Sequence, residues 1–207
     1  MLIALMIRWI DPPYSMFMWQ QSRALGQQKS IHQEWVDWEF ISDELKIAVI
    51  AAEDQRFLEH SGFDWDAIAQ TWQARQAGTS RGGASTISQQ LAKNLFLWSG
   101  QSWIRKGIEA WLTVAIELIV PKQRILEIYL NIAQWGDAQF GAEAASEFFF
   151  AKSARELTRW EAALLAAVLP NPVIYRVNAP SRYVTERQRW IVRNVRRLGG
   201  PGYLSEL

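Results

Sequence analysis

The stretch Ile47-Ala48-Val49-Ile50-Ala51-Ala52-Glu53-Asp54-Gln55-Arg56-Phe57 decides the fold class. Ile47, Ile50, Ala51, Asp54 and Phe57 recur at three- and four-residue spacing, the period of an amphipathic helix and not the alternation of a strand. The same period continues outward. After a break at Gly62, a helix is predicted over Asp64 to Gln76, and the glycine-bearing run Ala77 to Ala84 reads as a loop. Thr86-Ile87-Ser88-Gln89 has the capping-box pattern, so a helix should start there and pass through Lys93 to about Phe96. Further helices are expected from Ser102 to Val120, stopped by Pro121, and from Lys122 to Ile132. Arg159 to Leu169 should form a helix at the centre of the core, and Thr185 to Leu198 a basic closing helix. No internal repeat and no βαβ rhythm appears, so the expected fold is mainly α.

Composition narrows the function classes. The 207 residues carry 22 Lys+Arg against 21 Asp+Glu, which argues against a nucleic-acid binder driven by bulk charge. Apolar residues at 49% and charged residues at 21% are those of an ordinary globular chain, not a disordered one. With no cysteine there is no disulfide, zinc-thiolate site, iron–sulfur cluster or catalytic thiol. Twelve tryptophans are the unusual feature, and they suit a core, an interface or a membrane belt.

Residues 1–10 are apolar up to Arg8-Trp9-Ile10, and Asp11-Pro12-Pro13 follows. Ten helical residues reach about 15 Å, half the roughly 30 Å of a bilayer's hydrocarbon core, so this segment alone cannot span. It reads either as a buried helical stub or as the last part of a membrane anchor, with Arg8 and Trp9 at the interface. Residues 11–40 read as a juxtamembrane connector, Gln- and Ser-rich between Tyr14 and Glu34.

Several site types have no support. There is no Gly-x-Gly-x-x-Gly or Gly-x-x-x-x-Gly-Lys, no His-Glu-x-x-His and no Ser-x-x-Lys. The first positive signal is Glu53 with Arg56, Phe57 and His60 at i, i+3, i+4 and i+7, which on one helix face would present a carboxylate, a guanidinium, an aromatic and an imidazole. A solvated face with one ion pair is the plainer reading. Glu53 and Asp54 point to different sides of a helix, so only one of them can share a face with His60. The second signal is Lys93 with Arg105, Lys106 and Glu109, either surface ion pairs or a cation cluster suited to a diphosphate beside a second carboxylate. The Gly82-Gly83 loop and the helix start at Ser85-Thr86 add backbone donors for an anion. Glu127, in an apolar run, is expected to pair structurally with a nearby Arg or Lys. Six arginines from Arg182 to Arg197 face only Glu186, and read as a solvated face or a contact for anionic lipid.

Together these motifs resemble those of the peptidoglycan glycosyltransferases, in their monofunctional biosynthetic form. Glu53-Asp54-Gln55-Arg56-Phe57 with His60 and Gly62 is similar to the first family motif, and Gly83 to Asn94 to the second. Arg105-Lys106-Gly107-Ile108-Glu109-Ala110 resembles the third, Lys122 to Gly136 the fourth and Ala163 to Pro172 the fifth. The resemblance covers about residues 41–175, and it makes 41–207 the catalytic domain. It implies a lysozyme-like helical lobe with a smaller jaw lobe that contacts the membrane. It also implies polymerisation of lipid II into glycan strands at the periplasmic face of the bacterial inner membrane. Glu53 would be the general base; Lys93, Arg105 and Lys106 would hold the pyrophosphate. Glu109 would orient the donor phosphate or a divalent cation (Mg or Mn), and Ser85 and Gln90 would contact the donor. No tightly bound cofactor is implied. The implied partners are lipid II, the growing strand, membrane lipids and cell-wall synthesis or division proteins, with no nucleic acid. Two departures stand out: Gln134 where relatives commonly carry an acid, and Ala151 where a glycine is frequent. Rival readings are a lytic, lysozyme-like enzyme, which needs a protonated acid and no pyrophosphate cluster, and a non-catalytic cell-wall scaffold.

Overall fold

A computed structural model describes residues 2–26, 29–79, 83–100 and 102–207; Met1, Gly82 and the middle of the expected 77–84 loop lie outside them. The described residues are mainly helical, as expected. In chain order the helices are α1 (Leu2–Trp9), α2 (Met16–Leu25), α3 (Asp43–Glu53), α4 (Trp65–Gln76), α5 (Ile87–Phe96), α6 (Trp103–Ile119), α7 (Lys122–Ile132), α8 (Ala142–Phe150), α9 (Arg159–Val168) and α10 (Arg182–Arg197). Two short parallel strands, β1 (His32–Gln33) and β2 (Gln139–Phe140), pair His32 with Gln139.

The core is built on α3 and α9. Ser42 caps α3 through its hydroxyl, Asp43 and Glu44 sit in the first turn where the helix dipole favours acids, and Leu45 through Ala51 are all buried. Helix α9 starts in a capping box of Thr158 and Glu161, packs on α3 on one side and on α10 on the other. This is the central place expected for it. Tyr129 and Trp135 are the largest side chains fully enclosed beside them.

Three segments depart from the sequence expectations. Met16–Leu25, read as connector, is a helix: Ser15 accepts from the Met18 N–H, Met18 is fully buried, and α2 packs on α5. Ala142–Phe150, for which no helix was expected, forms α8 with its first five residues buried. Helix α3 stops at Glu53, because Asp54 turns extended with φ −161° and ψ 72°. Arg56, Phe57 and His60 therefore do not share a helix face with Glu53, and that expected constellation does not form.

Helix α6 has two distinct faces. Arg105, Glu109, Thr113 and Ile116, spaced four, four and three apart, turn inward; Glu109 is 3% exposed, and Thr113 and Ile116 are fully enclosed. Trp103, Ile104, Trp111, Val114 and Leu118 turn outward, Trp103 at 92% exposure. Helix α1 packs along α6, burying Ala4 and Ile7 while Leu5, Met6, Trp9 and Ile10 stay exposed. No described helix is long and apolar enough to cross a membrane.

Candidate active site

The end of α3 is held by Asp54. Its Oδ2 accepts the Ile87 N–H of α5 at 3.0 Å, and its Oδ1 lies 2.8 Å from His60 Nε2. The Gly62 N–H donates to His60 Nδ1 at 3.1 Å, so the imidazole proton sits on Nε2 and is donated to Asp54. Thr86 Oγ1 donates to the Gly62 carbonyl at 2.7 Å. Gly62 is required here: its φ is +89°, and a Cβ would lie 2.8 Å from Thr113 Cγ2. Of the two adjacent acids, Asp54 thus meets His60, and Glu53 is turned to the cleft.

Glu53 is gripped from two other helices. Its Oε2 accepts Gln90 Nε2 of α5 at 2.9 Å, and its Oε1 accepts Arg187 Nη2 of α10 at 3.2 Å. Gln90 Oε1 in turn accepts the Tyr129 hydroxyl of α7 at 3.0 Å. Burial pushes the Tyr129 phenol well above its ordinary range, and the charges of Glu53 and Asp54 push the same way, so it remains a donor at neutral pH. The cleft at Glu53 encloses about 340 Å³ and is lined by Asp64, Asp66 and Gln70 on one side and Gly83, Ser85 and Thr86 on the other. Arg56 lines the same cleft without bonding Glu53; it is bound by Glu59, Asp64 and Asp66.

One turn along α5 from Gln90, Lys93 faces a second pocket of about 390 Å³, lined also by Phe17, Asn94, Leu97, Trp98 and Arg105. Across it, Arg105 Nη1 donates to Glu109 Oε2 at 3.0 Å and Lys106 Nζ donates to Glu109 Oε1. The Lys93 side chain opens to solvent at its surface, yet the surrounding walls withdraw enough water to lower its pKa. Glu109 opposes that shift, Arg105 and Lys106 add to it, and Glu53 opposes it again. Lys93 therefore feels both acids. No group of three or more His, Asp or Glu among the described residues could hold a metal ion.

The expected residues fall in one connected region. Glu53 and Gln90 touch, Ser85 is on the rim of the same cleft, and Lys93, Arg105, Lys106 and Glu109 form the cation group beside it. Glu127 is structural as expected: it accepts from Arg124 Nη1 at 2.9 Å and from the Trp38 N–H at 2.8 Å. Sequence reasoning missed Arg187 by treating the arginines of α10 as a solvated face. The signal was there, since Arg187 is three residues after Val184 and four before Ile191, both buried.

Residues 21–196 match the family described as Transglycosylase. The chain belongs to the transglycosylase family. The matched span contains every site residue from Glu53 to Arg187. The chain is 50% identical to the biosynthetic peptidoglycan transglycosylase of Stutzerimonas stutzeri (strain A1501), covering all of this chain and 86% of that protein. It is 54% identical to the protein of the same name from Shewanella oneidensis (strain MR-1), over 96% of this chain and 85% of the relative. Membership in the transglycosylase family makes this chain a glycosyltransferase that builds glycan, and the lytic and scaffold readings fall away.

Proposed function

We propose that the chain polymerises lipid II into peptidoglycan strands with inversion at the anomeric carbon. One observation carries this reading: α5 presents Gln90 to Glu53 and, one turn later, Lys93 to the Arg105/Lys106/Glu109 group. A proton acceptor and a set of cations thus lie one turn apart along one helix, the arrangement needed when a hydroxyl attacks and a pyrophosphate departs. Glu53 takes the proton of the acceptor's 4-hydroxyl as its oxygen bonds to the donor's anomeric carbon. The bond from that carbon to the pyrophosphate oxygen breaks, and its electron pair leaves with the pyrophosphate. Lys93, Arg105 and Lys106 offset the charge that develops there. Ser85, on the rim of the Glu53 cleft, contacts the donor sugar. Both Glu109 oxygens are engaged by Arg105 and Lys106, so the residues present do not fit a protein-held divalent ion, and Glu109 acts by orienting those cations. Replacing Glu53 with Gln keeps the size of the side chain and one acceptor oxygen for Gln90 or Arg187, but removes the proton acceptor. Strand formation from purified lipid II should fall by at least about a thousandfold, with the circular dichroism spectrum unchanged; near-normal turnover would overturn the assignment.

The outward face of α6 is proposed to lie on the bilayer, with the exposed side of α1 beside it. Trp9, Trp19, Trp98, Trp103 and Trp111 are all exposed, as a belt of membrane-interface tryptophans would be. A substrate with an undecaprenyl tail must be met at such a surface. The catalytic region would then face the periplasm, on the inner membrane.

A further inference from the structure

Helix α2, the second helix of the N-terminal segment, reaches into the wall of the cation pocket. Phe17 lines that pocket together with Lys93, Arg105 and residues 97–100. Residues 97–100 lie between α5 and α6, outside any helix, with Gly100 at φ +126°. Both ends of the Gln20 amide bond the backbone there. Its Nε2 donates to the Leu97 carbonyl at 3.0 Å, and its Oε1 accepts the Ser99 N–H at 2.5 Å. Nε2 also donates to the Met16 carbonyl at 3.1 Å, which fixes the side chain against its own helix.

The rest of the N-terminal segment is tied along the helices that carry the cations. Helix α2 packs on α5 and α1 on α6. Arg8 Nη1 donates to the Ile119 carbonyl at 2.9 Å, and Arg124 donates to the Ile7 carbonyl at 3.1 Å and to Asp11 at 2.6 Å. A shift of this segment is therefore transmitted to the walls of the pocket through Phe17 and Gln20.

We infer that Gln20 is a positioning residue of the pyrophosphate site, holding residues 97–100 so that the pocket of Lys93 and Arg105 is formed before substrate arrives. The inference rests on reading those cations as pyrophosphate ligands. A preformed pocket spares the substrate the cost of ordering the loop, so Gln20 acts on affinity and not on the chemical step. Its loss should appear in KM while kcat stays put.

The test uses the full chain in detergent micelles with purified lipid II. Gln20→Ala removes both bonds to the loop, and KM should rise about tenfold, with kcat within about twofold of the parent. Hydrogen exchange at residues 97–100 should quicken while that of α5 is unchanged. Ser22→Ala, on the same helix, should leave KM alone. If Gln20→Ala does not fold, Gln20→Glu carries the comparison, because it keeps the acceptor for Ser99 and sets a carboxylate oxygen against the Leu97 carbonyl. Arg105→Ala is measured in parallel. A raised KM in Arg105→Ala with none in either Gln20 variant overturns the positioning role and leaves the pyrophosphate reading standing. No change in any of the three overturns both, and equal losses of kcat in the Gln20 variants overturn a role confined to affinity.

Discussion

Lys93 is the residue whose chemistry is most exposed to test. It must be charged to hold a pyrophosphate, and its surroundings hold its pKa below that of an ordinary lysine, chiefly through loss of water. Lys93 therefore loses its proton at a lower pH than a free lysine would, and the KM for lipid II should climb on the alkaline side. Lys93→Arg, which stays charged throughout, should flatten that climb. An unchanged alkaline limb in Lys93→Arg would show that another group governs it. At this scale the sequence was informative about identities and poor about pairings. Glu53, Lys93 and Glu109 stood out by type and spacing, whereas Gln90 was named only through the family resemblance. That Glu53 meets Gln90 and Arg187, while Asp54 takes His60, depends on where α3 stops, and a single extended residue settles it.

Among the elements, the end of α8 holds a local conflict. Ala151, its C-cap, has φ 54° and ψ 41°, the one non-glycine residue with positive φ among those described. A left-handed conformation costs an alanine about 1 kcal/mol that a glycine does not bear. Ala151→Gly should therefore raise the thermal midpoint by about 2–4 °C in calorimetry, and a lowered midpoint would contradict the reading. The other departure needs no such correction. Gln134 donates through Nε2 to the carbonyls of Gly136 and Asp137, which a carboxylate could not do. Helices with a sharp apolar period and a cap, such as α5 and α7, were legible nearly to the residue. Helix α2 was not, because its Gln and Ser residues dilute the period, and its stability comes from packing Met18 into the core and itself onto α5.

For the whole molecule, the decisive property is the side on which its apolar surface lies. Of the twelve tryptophans, Trp135 alone is fully enclosed, so the excess is not a core feature. The outward row of α6 and the free side of α1 make one apolar surface next to the cation pocket, where the head of a lipid-linked substrate would sit. Replacing Trp103 and Trp111 together with Ser should weaken binding to lipid vesicles by at least about tenfold in flotation assays. Intact vesicle binding in that double variant would place the membrane contact elsewhere.

Hydrophobic period, capping residues and proline stops by themselves determined that the chain is helical, where most of its helices begin and end, and which side chains could do chemistry. These are properties of neighbours in sequence, and local sterics and hydrogen bonding express them directly. Only the tertiary structure decided which acid faces the cleft, that Arg187 reaches Glu53 from a helix more than a hundred residues away, and that α2 borders the cation pocket. Those facts follow from how α3, α5, α6 and α10 pack against one another, and packing between distant segments leaves no fixed spacing in the sequence to be read.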